Sequence, residues 1–525
     1  MKELKDTLWK AADKLRGSMD ASQYKDVVLG LVFLKYVSEA FEVRRAAIAA
    51  ELRADGYRDD QVASLLDDRD EYVGHGAFWV PEEARWSHLA EHSKGLYLIG
   101  GEEKSIGRLV DDAMDLLIGS NPSLRNALPH GFNRGNVDQR RLGELVDLLN
   151  NVRFFAAGEA GSPAQARDLM GEVYEYFLEQ FARAEGKRGG EFYTPPCVVR
   201  TIVEILEPVA GRIYDPCCGS GGMFVQAEKF LAAHHRDRTA LSIYGQELNE
   251  RTWRMATMNL AIHGLNGNLA DRWGDTFALD YHSGVQMDYV LANPPFNIKD
   301  WARREEDDRW RYGVPPLRNA NYAWMQHIIH KLAPGGLAGV VMANGSMSST
   351  SNGEGDIRAR LVDADLVTCM VALPDKLFRS TGIPACLWFF AKDKAPGTHG
   401  SVDRRGQVLF IDARSLGAMI DRAQRELTDA DIARIAGAYR AWRGTDSAGE
   451  EPYADVPGFC ASVSLADIQA AGYALTPGRY VGAAAAEDDG EPLEQKIERL
   501  TAELLAAFDE SDRLQAEVRT QLGRL

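Results

Sequence analysis

Three patterns of apolar and polar residues succeed one another along the chain. Over residues 1 to about 155, apolar side chains recur at helical spacing, as in "YKDVVLGLVFLKYVSEAFEVRRAAIAAELRADG", which ends at Gly56. Strand-like alternation is nearly absent there, so an N-terminal α-helical domain is expected. "AAGEAGSPAQ" (156–165) has the composition of a linker, and "ARDLMGEVYEYFLEQFARAEG" predicts one more helix leading into "KRGGEFYTPP". From about residue 197 helices alternate with short apolar runs: "GRIYDPCCGSGG", "SIYGQEL", "MDYVLANPPF", "GGLAGVVMAN" and "ACLWFFAK". This βαβ alternation predicts an α/β fold with a parallel, doubly wound sheet. "KDKAPGTHGSVDRRG" (392–406) breaks the pattern and reads as a hairpin turn or a domain edge. At the end, Leu493, Ile497, Leu500, Leu504, Ala507, Leu514, Val518 and Leu525 fall on steps of three and four, interrupted at Ser511 and Gln521. That spacing predicts a C-terminal coiled-coil-like helix whose apolar seam seeks a partner. The expected domains are 1–155, 165–480 and 488–525.

Composition changes this picture little, and charge changes it more. Among 525 residues, 45% are hydrophobic and 26% charged, as in ordinary soluble proteins. The net charge of -17 has the wrong sign for a protein that grips nucleic acid alone, because phosphate contacts need many Lys and Arg. Any nucleic-acid substrate must then be held by a local basic patch or by a partner. The six cysteines form no CxxC, so reduced thiols and no metal site are expected. "MKELKDTLWKAADKLRG" is amphipathic rather than a signal-peptide core. "VVLGLVFLKYV" is too short to span a bilayer and carries Lys35, so no membrane segment and a cytoplasmic location are expected.

The candidate chemistry sits at the carboxyl ends of the predicted strands, where such sheets bind ligands. In "YDPCCGSGGMF", Asp215 ends a strand, and Gly219, Gly221 and Gly222, with Ser220 between them, are expected in the turn that follows. Glycines allow close backbone approach, but this is not GxGxxG. An acid before the turn favours an amine and repels a pyrophosphate. Glu247, one βαβ unit later, is placed to accept from both hydroxyls of a ribose. Asp275 in "RWGDTF" is placed to accept from an adenine amino group. An amine, a ribose and an adenine in that order describe S-adenosylmethionine.

"VLANPPFN" (290–297) then carries the catalysis. An exocyclic amino group is a poor nucleophile because its lone pair is delocalised. Hydrogen bonds from its two N–H groups to the Asn293 side-chain oxygen and the Pro294 carbonyl favour the localised nitrogen as methyl arrives. Pro294 and Pro295 hold that carbonyl in place. Phe296 offers a stacking face for a flipped base.

These motifs resemble those of amino-methyltransferases, with an Asp-Gly-rich turn before an (D/N)PP(F/Y) motif. "GEFYTPP", ahead of the glycine turn, resembles their extra cofactor motif in the order typical of adenine-N6 enzymes. With "RGSMDASQYKDVVLGLVFLKYVSEAFE", "NANYAWMQHIIHKLAPGG", "LPDKLF" and "YALTPGRYV", the chain resembles nearly end to end the modification (M) subunit of type I restriction–modification systems. The resemblance implies a Rossmann-like S-adenosylmethionine-dependent methyltransferase sheet and N6-adenine methylation of DNA at a flipped adenine. It implies Asn293, Pro294, Pro295 and Phe296 as the catalytic motif. Cofactor positions are Phe192, Tyr193, Thr194, Asp215, Gly219, Ser220, Gly221, Glu247 and Asp275. It also implies a separate specificity (S) subunit, usually two M to one S, and a restriction (R) subunit. Alternatives are an N4-cytosine DNA methyltransferase, a protein-glutamine N5-methyltransferase, or a scaffold without catalysis. Two further segments are candidates for the substrate: the charged loop "IKDWARREEDDRWRYGVPPLRNA", to close over the flipped base, to touch DNA through Arg303, Arg304, Arg309 or Arg311, or as a plain solvated loop, and "NGEGDIRARL", by a helix N-terminus toward phosphate or as a plain cap.

Overall fold

In a computed structural model, the chain divides into two compact units, residues 1–481 and 482–525. The structure describes Trp9 and residues 21–74, 77–99, 102–125, 127–151, 171–181, 194–378, 384–422, 424–449 and 451–483. Positions 501, 502, 505, 508, 511 and 513–515 complete the described residues; they are helical. Most of the seam from Leu493 to Leu525, the "AAGEAGSPAQ" segment, Phe192 and Tyr193 lie outside the described residues.

The first unit is built on a nine-stranded sheet. Its strands in chain order are β1 (Gly211–Asp215), β2 (Leu241–Gly245), β3 (Gly267–Asn268), β4 (Met287–Ala292), β5 (Leu332–Ala343), β6 (Val367–Ala372), β7 (Ala385–Ala391), β8 (Gln407–Asp412) and β9 (Cys460–Ser464). Their spatial order is β9-β8-β6-β7-β5-β4-β1-β2-β3. Strands β1 to β5 pair in parallel, but β7 runs antiparallel to both β5 and β6, and β9 antiparallel to β8. The expectation of an all-parallel sheet is corrected at these two strands. An unbroken buried run such as "ACLWFFA" announces a buried strand but not its direction. Only residues 373–384 join β6 to β7, and none of those described is helical, so the chain turns back instead of crossing over.

Connecting helices cover the sheet. The helix α4 (Pro196–Leu206) opens with proline at its first position, where the missing N–H costs nothing. It is preceded in the chain by α1 (Ala21–Ala54), α2 (Ile106–Ser120) and α3 (Gln139–Asn150). After β1 comes α5 (Gly222–Ala233), and after β2 comes α6 (Glu250–Ile262), whose N-cap Asn249 accepts from the backbone N–H groups of Arg251 and Thr252. Following β4 are α7 (Asn321–Lys331), α8 (Glu354–Asp363) and α9 (Asp429–Arg443).

The N-terminal segment is mostly helical, with one correction: Leu96–Ile99 and Glu102–Ser105 form an antiparallel hairpin. Its apolar core also takes in Met255, Met258 and Ile262 of α6. Tyr36 donates its hydroxyl to the Ile262 carbonyl at 3.3 Å, and Tyr174 to the Met255 carbonyl at 3.3 Å. The helical segment and the sheet therefore share buried surface, and α6 is the element they share.

Residues 392–406 lie inside the first unit and hold the hairpin-turn alternative rather than the domain edge: Gly397 and Gly400 exchange backbone N–H···O bonds at 2.9 and 3.1 Å. Buried Lys394 pins them by donating to the carbonyls of Val367 (3.1 Å) and Gln407 (2.7 Å) and pairing with Asp365. Burial in that spot is compensated by these partners.

Candidate active site

The strand order reverses between β1 and β4, which lie side by side. Asp215 ends β1 and Asn293 directly follows β4, so both reach the crevice that opens where neighbouring crossovers part. A cavity of about 400 Å³ occupies this place. Its wall includes Thr194, Asp215, Gly219, Ser220, Glu247, Asp275, Asn293 and Pro295. Asp215 and Asn293, about 80 positions apart in sequence, thus meet because parallel strands deliver their ends to one edge.

The turn after β1 is drawn around acids. Asp215 is 2% exposed, and its Oδ1 accepts from the Cys217 N–H at 3.0 Å. Burial, with Glu247 nearby, raises its pKa from an ordinary 3.8 to about 7 despite that bond. Glu247 accepts from the Gly219 N–H at 2.9 Å and from the Asn249 N–H at 2.8 Å. Gly219 has φ +54°, and a Cβ there would meet no protein atom within 4 Å, so any side chain would take up cavity space. Gly221 has another task. At φ +79° it caps α5, and a Cβ would face Ala256 of α6 at 3.7 Å. Asp275 accepts from the Phe277 N–H at 2.8 Å.

Asn293 is held from the other side. Its Nδ2 donates to Thr194 Oγ1 at 2.8 Å, which fixes the amide. Its Oδ1 is buried with no hydrogen-bond partner. Asn259 repeats the pattern on the same wall, with Nδ2 donating to the Ser220 carbonyl at 2.8 Å and Oδ1 buried without a partner. An unmet buried acceptor costs about 1–3 kcal/mol. Three carboxylates and two orphaned amide oxygens make a wall rich in acceptors. It suits a ligand that brings N–H and O–H donors and positive charge, and S-adenosylmethionine has that character.

Pro294 is buried, and Phe296 packs partly buried against the apolar cluster that includes α4. Phe277, Trp301 and Trp324, which sequence reasoning missed, line the cavity with further aromatic surface. Trp301 lies in the charged loop after the NPPF motif, and its indole donates to the Leu317 carbonyl at 3.1 Å. Lys25 and Glu175 of the helical segment also line the cavity. They carry no local motif, so nothing in the sequence marks them.

The loop's arginines are mostly spent on the protein itself. Arg309 pairs with Asp307 at 2.5 Å and donates to the carbonyls of Thr276 (2.9 Å) and Phe277 (2.8 Å). It also meets His327 at 3.2 Å, whose pKa burial drives down to about 3. This arginine braces the cavity wall. Arg303 donates to the Pro315 carbonyl at 2.9 Å and Arg304 to the Ala278 carbonyl at 3.1 Å, whereas Arg311 is exposed. At the start of α8, buried Glu354 accepts from Asn319 at 2.8 Å and from Ser349, so an acid already fills that helix end and no phosphate is needed. All six cysteines are unpaired, and burial pushes the thiols of Cys217 and Cys218 up, so they stay protonated at the cavity wall. Among the described residues no helix is long and apolar enough to cross a membrane.

Comparison with known proteins agrees with this geometry. The N-6 DNA Methylase family matches residues 165–489, and the HsdM N-terminal domain matches residues 4–150. The chain belongs to the N-6 DNA methylase family. It is 44% identical to the type I restriction enzyme HindI methylase subunit of Haemophilus influenzae over 454 residues, covering 85% of this chain and 99% of that one. It is 37% identical to the MjaIX methylase subunit of Methanocaldococcus jannaschii over 537 residues, covering 100% of this chain and 91% of that one. A solved type I methyltransferase subunit from Streptococcus thermophilus shares the fold, with a TM-score of 0.72 at 24% identity, over 92% of this chain and 99% of that chain. The expected resemblance to type I modification subunits and the methyltransferase fold are thereby established. These relatives favour the N6 DNA methylase reading over the cytosine-N4 and protein-glutamine alternatives.

Proposed function

We propose that this N-6 DNA methylase transfers a methyl group from S-adenosylmethionine to the N6 amino group of a flipped adenine in DNA. It does so as the modification subunit of a type I restriction–modification assembly. The observation that carries this reading is the Asn293 Oδ1, a buried acceptor left without a partner on the wall of an acceptor-rich cavity. When bound, S-adenosylmethionine supplies an electrophilic methyl group on a sulfonium.

The chain's own residues do the rest. Asp215 faces the cofactor's ammonium, Glu247 its ribose hydroxyls, and Asp275 its adenine amino group, with Gly219 and Ser220 leaving room along the turn. Phe192, Tyr193 and Thr194 belong to the same site, and Thr194 holds the Asn293 amide by the bond already described. Asn293 Oδ1 and the Pro294 carbonyl accept hydrogen bonds from the two N–H groups of the target amino group. The bond to Asn293 satisfies the orphaned oxygen only when the base is in place, so the gain belongs to the reacting complex. Pro295 lines the approach, and Phe296 supplies the stacking face beside the motif. Trp301, on the facing loop, supplies a second aromatic surface.

Methyl transfer from labelled cofactor to DNA by the assembled complex, followed by digestion to nucleosides, tests the function. N6-methyladenine is the expected product. Label in N4-methylcytosine, or in protein glutamine instead of DNA, would overturn it.

A net charge of -17 fits a subunit whose specificity partner reads the sequence and carries much of the phosphate contact. We assign two copies of this chain to one specificity subunit, with a restriction subunit added for cleavage, working in the cytoplasm. Residues 1–155 form the helical domain, 165–480 the catalytic domain with its extension, and 488–525 the docking helix. Removing residues 490–525 is expected to abolish co-purification with the specificity subunit while cofactor binding persists. Unchanged co-purification would show that the apolar seam is not the docking element.

A further inference from the structure

Buried tryptophans in this protein keep their indole N–H groups occupied. Trp86 donates to Asn150 Oδ1, Trp253 to the Leu269 carbonyl, Trp310 to the Arg304 carbonyl, Trp388 to Ser346 Oγ and Trp442 to Ser462 Oγ, at 2.6 to 3.2 Å. Trp324 departs from this. It is 6% exposed, and its Nε1 has no hydrogen-bond partner among the described residues. It also lines the cavity. An indole N–H can only donate, and leaving it buried without an acceptor carries a desolvation cost. On a wall otherwise rich in acceptors, this donor marks where a ligand brings an acceptor of its own.

Its neighbours say which acceptor. Helix α7 is tied to the chain just after the NPPF motif, where Asn321 accepts from the Asn297 N–H and donates to Asn297 Oδ1, both at 2.9 Å. Trp324 stands one turn further along α7, with its ring centroid 4.2 Å from that of Phe277 and the planes tilted by 48°. Phe277 is fixed in turn: its N–H goes to Asp275 at 2.8 Å, and its carbonyl accepts from Arg309. The indole is therefore one ring away from the carboxylate read as the acceptor for the cofactor's adenine amino group. An adenine so held carries two ring acceptors, N1 and N7, on either side of that amino group.

We propose that Trp324 donates its indole N–H to a ring nitrogen of the cofactor's adenine, beside the amino group that meets Asp275. The proposal rests on reading the cavity as an S-adenosylmethionine site. Asp275 as acceptor and Trp324 as donor then read the ring's edge together. A 6-oxo purine opposes Asp275 with a carbonyl and, at N1, offers an N–H in place of an acceptor, so a paired site of this kind rejects it. A packing role alone would need the ring of Trp324 and not its N–H.

The test is calorimetry on the full-length chain with S-adenosylmethionine and its 1-deaza and 7-deaza forms, in each of which C–H replaces one ring nitrogen. The unaltered chain is expected to bind at least one deaza form about tenfold more weakly than the natural cofactor. Trp324→Phe keeps an aromatic ring and lacks the donor. In it, the natural cofactor is expected to lose about as much, and the penalty of that deaza form to fall below about twofold. Trp324→Leu serves as the second variant if Trp324→Phe does not fold. Deaza penalties that are the same in the unaltered chain and the variant would make Trp324 a packing residue, and an unchanged affinity of the variant for S-adenosylmethionine would remove it from the site. Coupling of Trp324 to a deaza-adenine placed in the target DNA, read by single-turnover transfer, would move the donor to the flipped base. Each of these overturns the proposal while the cofactor reading stands. Failure of the unaltered chain to bind S-adenosylmethionine would overturn the cofactor reading itself, and this inference with it.

Discussion

Asn293→Ala is expected to lower methyl transfer by the assembled complex by about 10²–10³-fold while cofactor affinity stays within about twofold. The substitution removes the orphaned Oδ1, the acceptor that the wall keeps for the incoming amino group. It also removes the donor to Thr194 Oγ1. That second loss costs about 1 kcal/mol of stability, far too little to unfold the sheet. The loss therefore falls on kcat, because the bond to the amino group strengthens as the nitrogen localises its lone pair. Asn293→Asp keeps an acceptor but loses the donor to Thr194, and an intermediate rate is expected. Single-turnover transfer of labelled methyl to DNA, alongside calorimetric cofactor binding, separates the two effects. An unchanged rate in Asn293→Ala would refute the mechanism. An equal loss in cofactor affinity would move the residue into the cofactor site.

Asp215→Asn should weaken cofactor binding by about 100-fold, yet make the cofactor-free protein more stable at pH 8. The two effects have one cause. Asp215 is buried, and its pKa stands at about 7 instead of 3.8. Because the folded value is raised, the carboxylate's destabilising contribution is absent below the unfolded value. It grows as pH rises from about 4 and is complete above about 7, where it reaches about 4 kcal/mol. The amide keeps the Oδ1 that accepts from Cys217 and removes the charge. Thermal melts of the cofactor-free variant should therefore lie above those of the unaltered chain at pH 8 and converge with them near pH 4. The same linkage acts on the ligand. A cation favours ionised Asp215, so cofactor affinity should rise about tenfold from pH 6 to pH 8, with proton release on binding. Calorimetry in two buffers of different ionisation enthalpy measures that proton. Lower stability of Asp215→Asn at pH 8 would show that the carboxylate supports the turn rather than straining it. Pre-organised ligand sites commonly carry such a cost, and here the burden lies on the residue that ends β1.

The limits of the sequence show at particular residues. The turn after β1 and the motif after β4 were legible because each is local: an apolar run ends, and a polar residue with glycines or prolines follows at once. Arg309 shows the opposite case. Its charge in a loop suggested DNA, yet it is consumed by Asp307, two carbonyls and His327. No pattern in a loop tells whether a cation will meet solvent or the back of a cavity wall. Phe296 is similar. Its place in the motif is plain, but its packing against the α4 cluster depends on a helix almost 100 residues earlier.

By itself, the sequence determined the alternation of strands and helices, the residues at the carboxyl ends of β1, β2 and β4, and through them the class of chemistry. Periodicity and strand-end residues are properties of short stretches, and burial of apolar runs fixes them whatever lies further off. The tertiary structure alone decided that β7 and β9 run antiparallel, that Arg309 turns inward, and that Lys25 and Glu175 of the helical segment stand at the cavity. Those outcomes depend on which distant surfaces pack together, and a contact between α1 and α6, more than 200 residues apart, leaves no period in either segment.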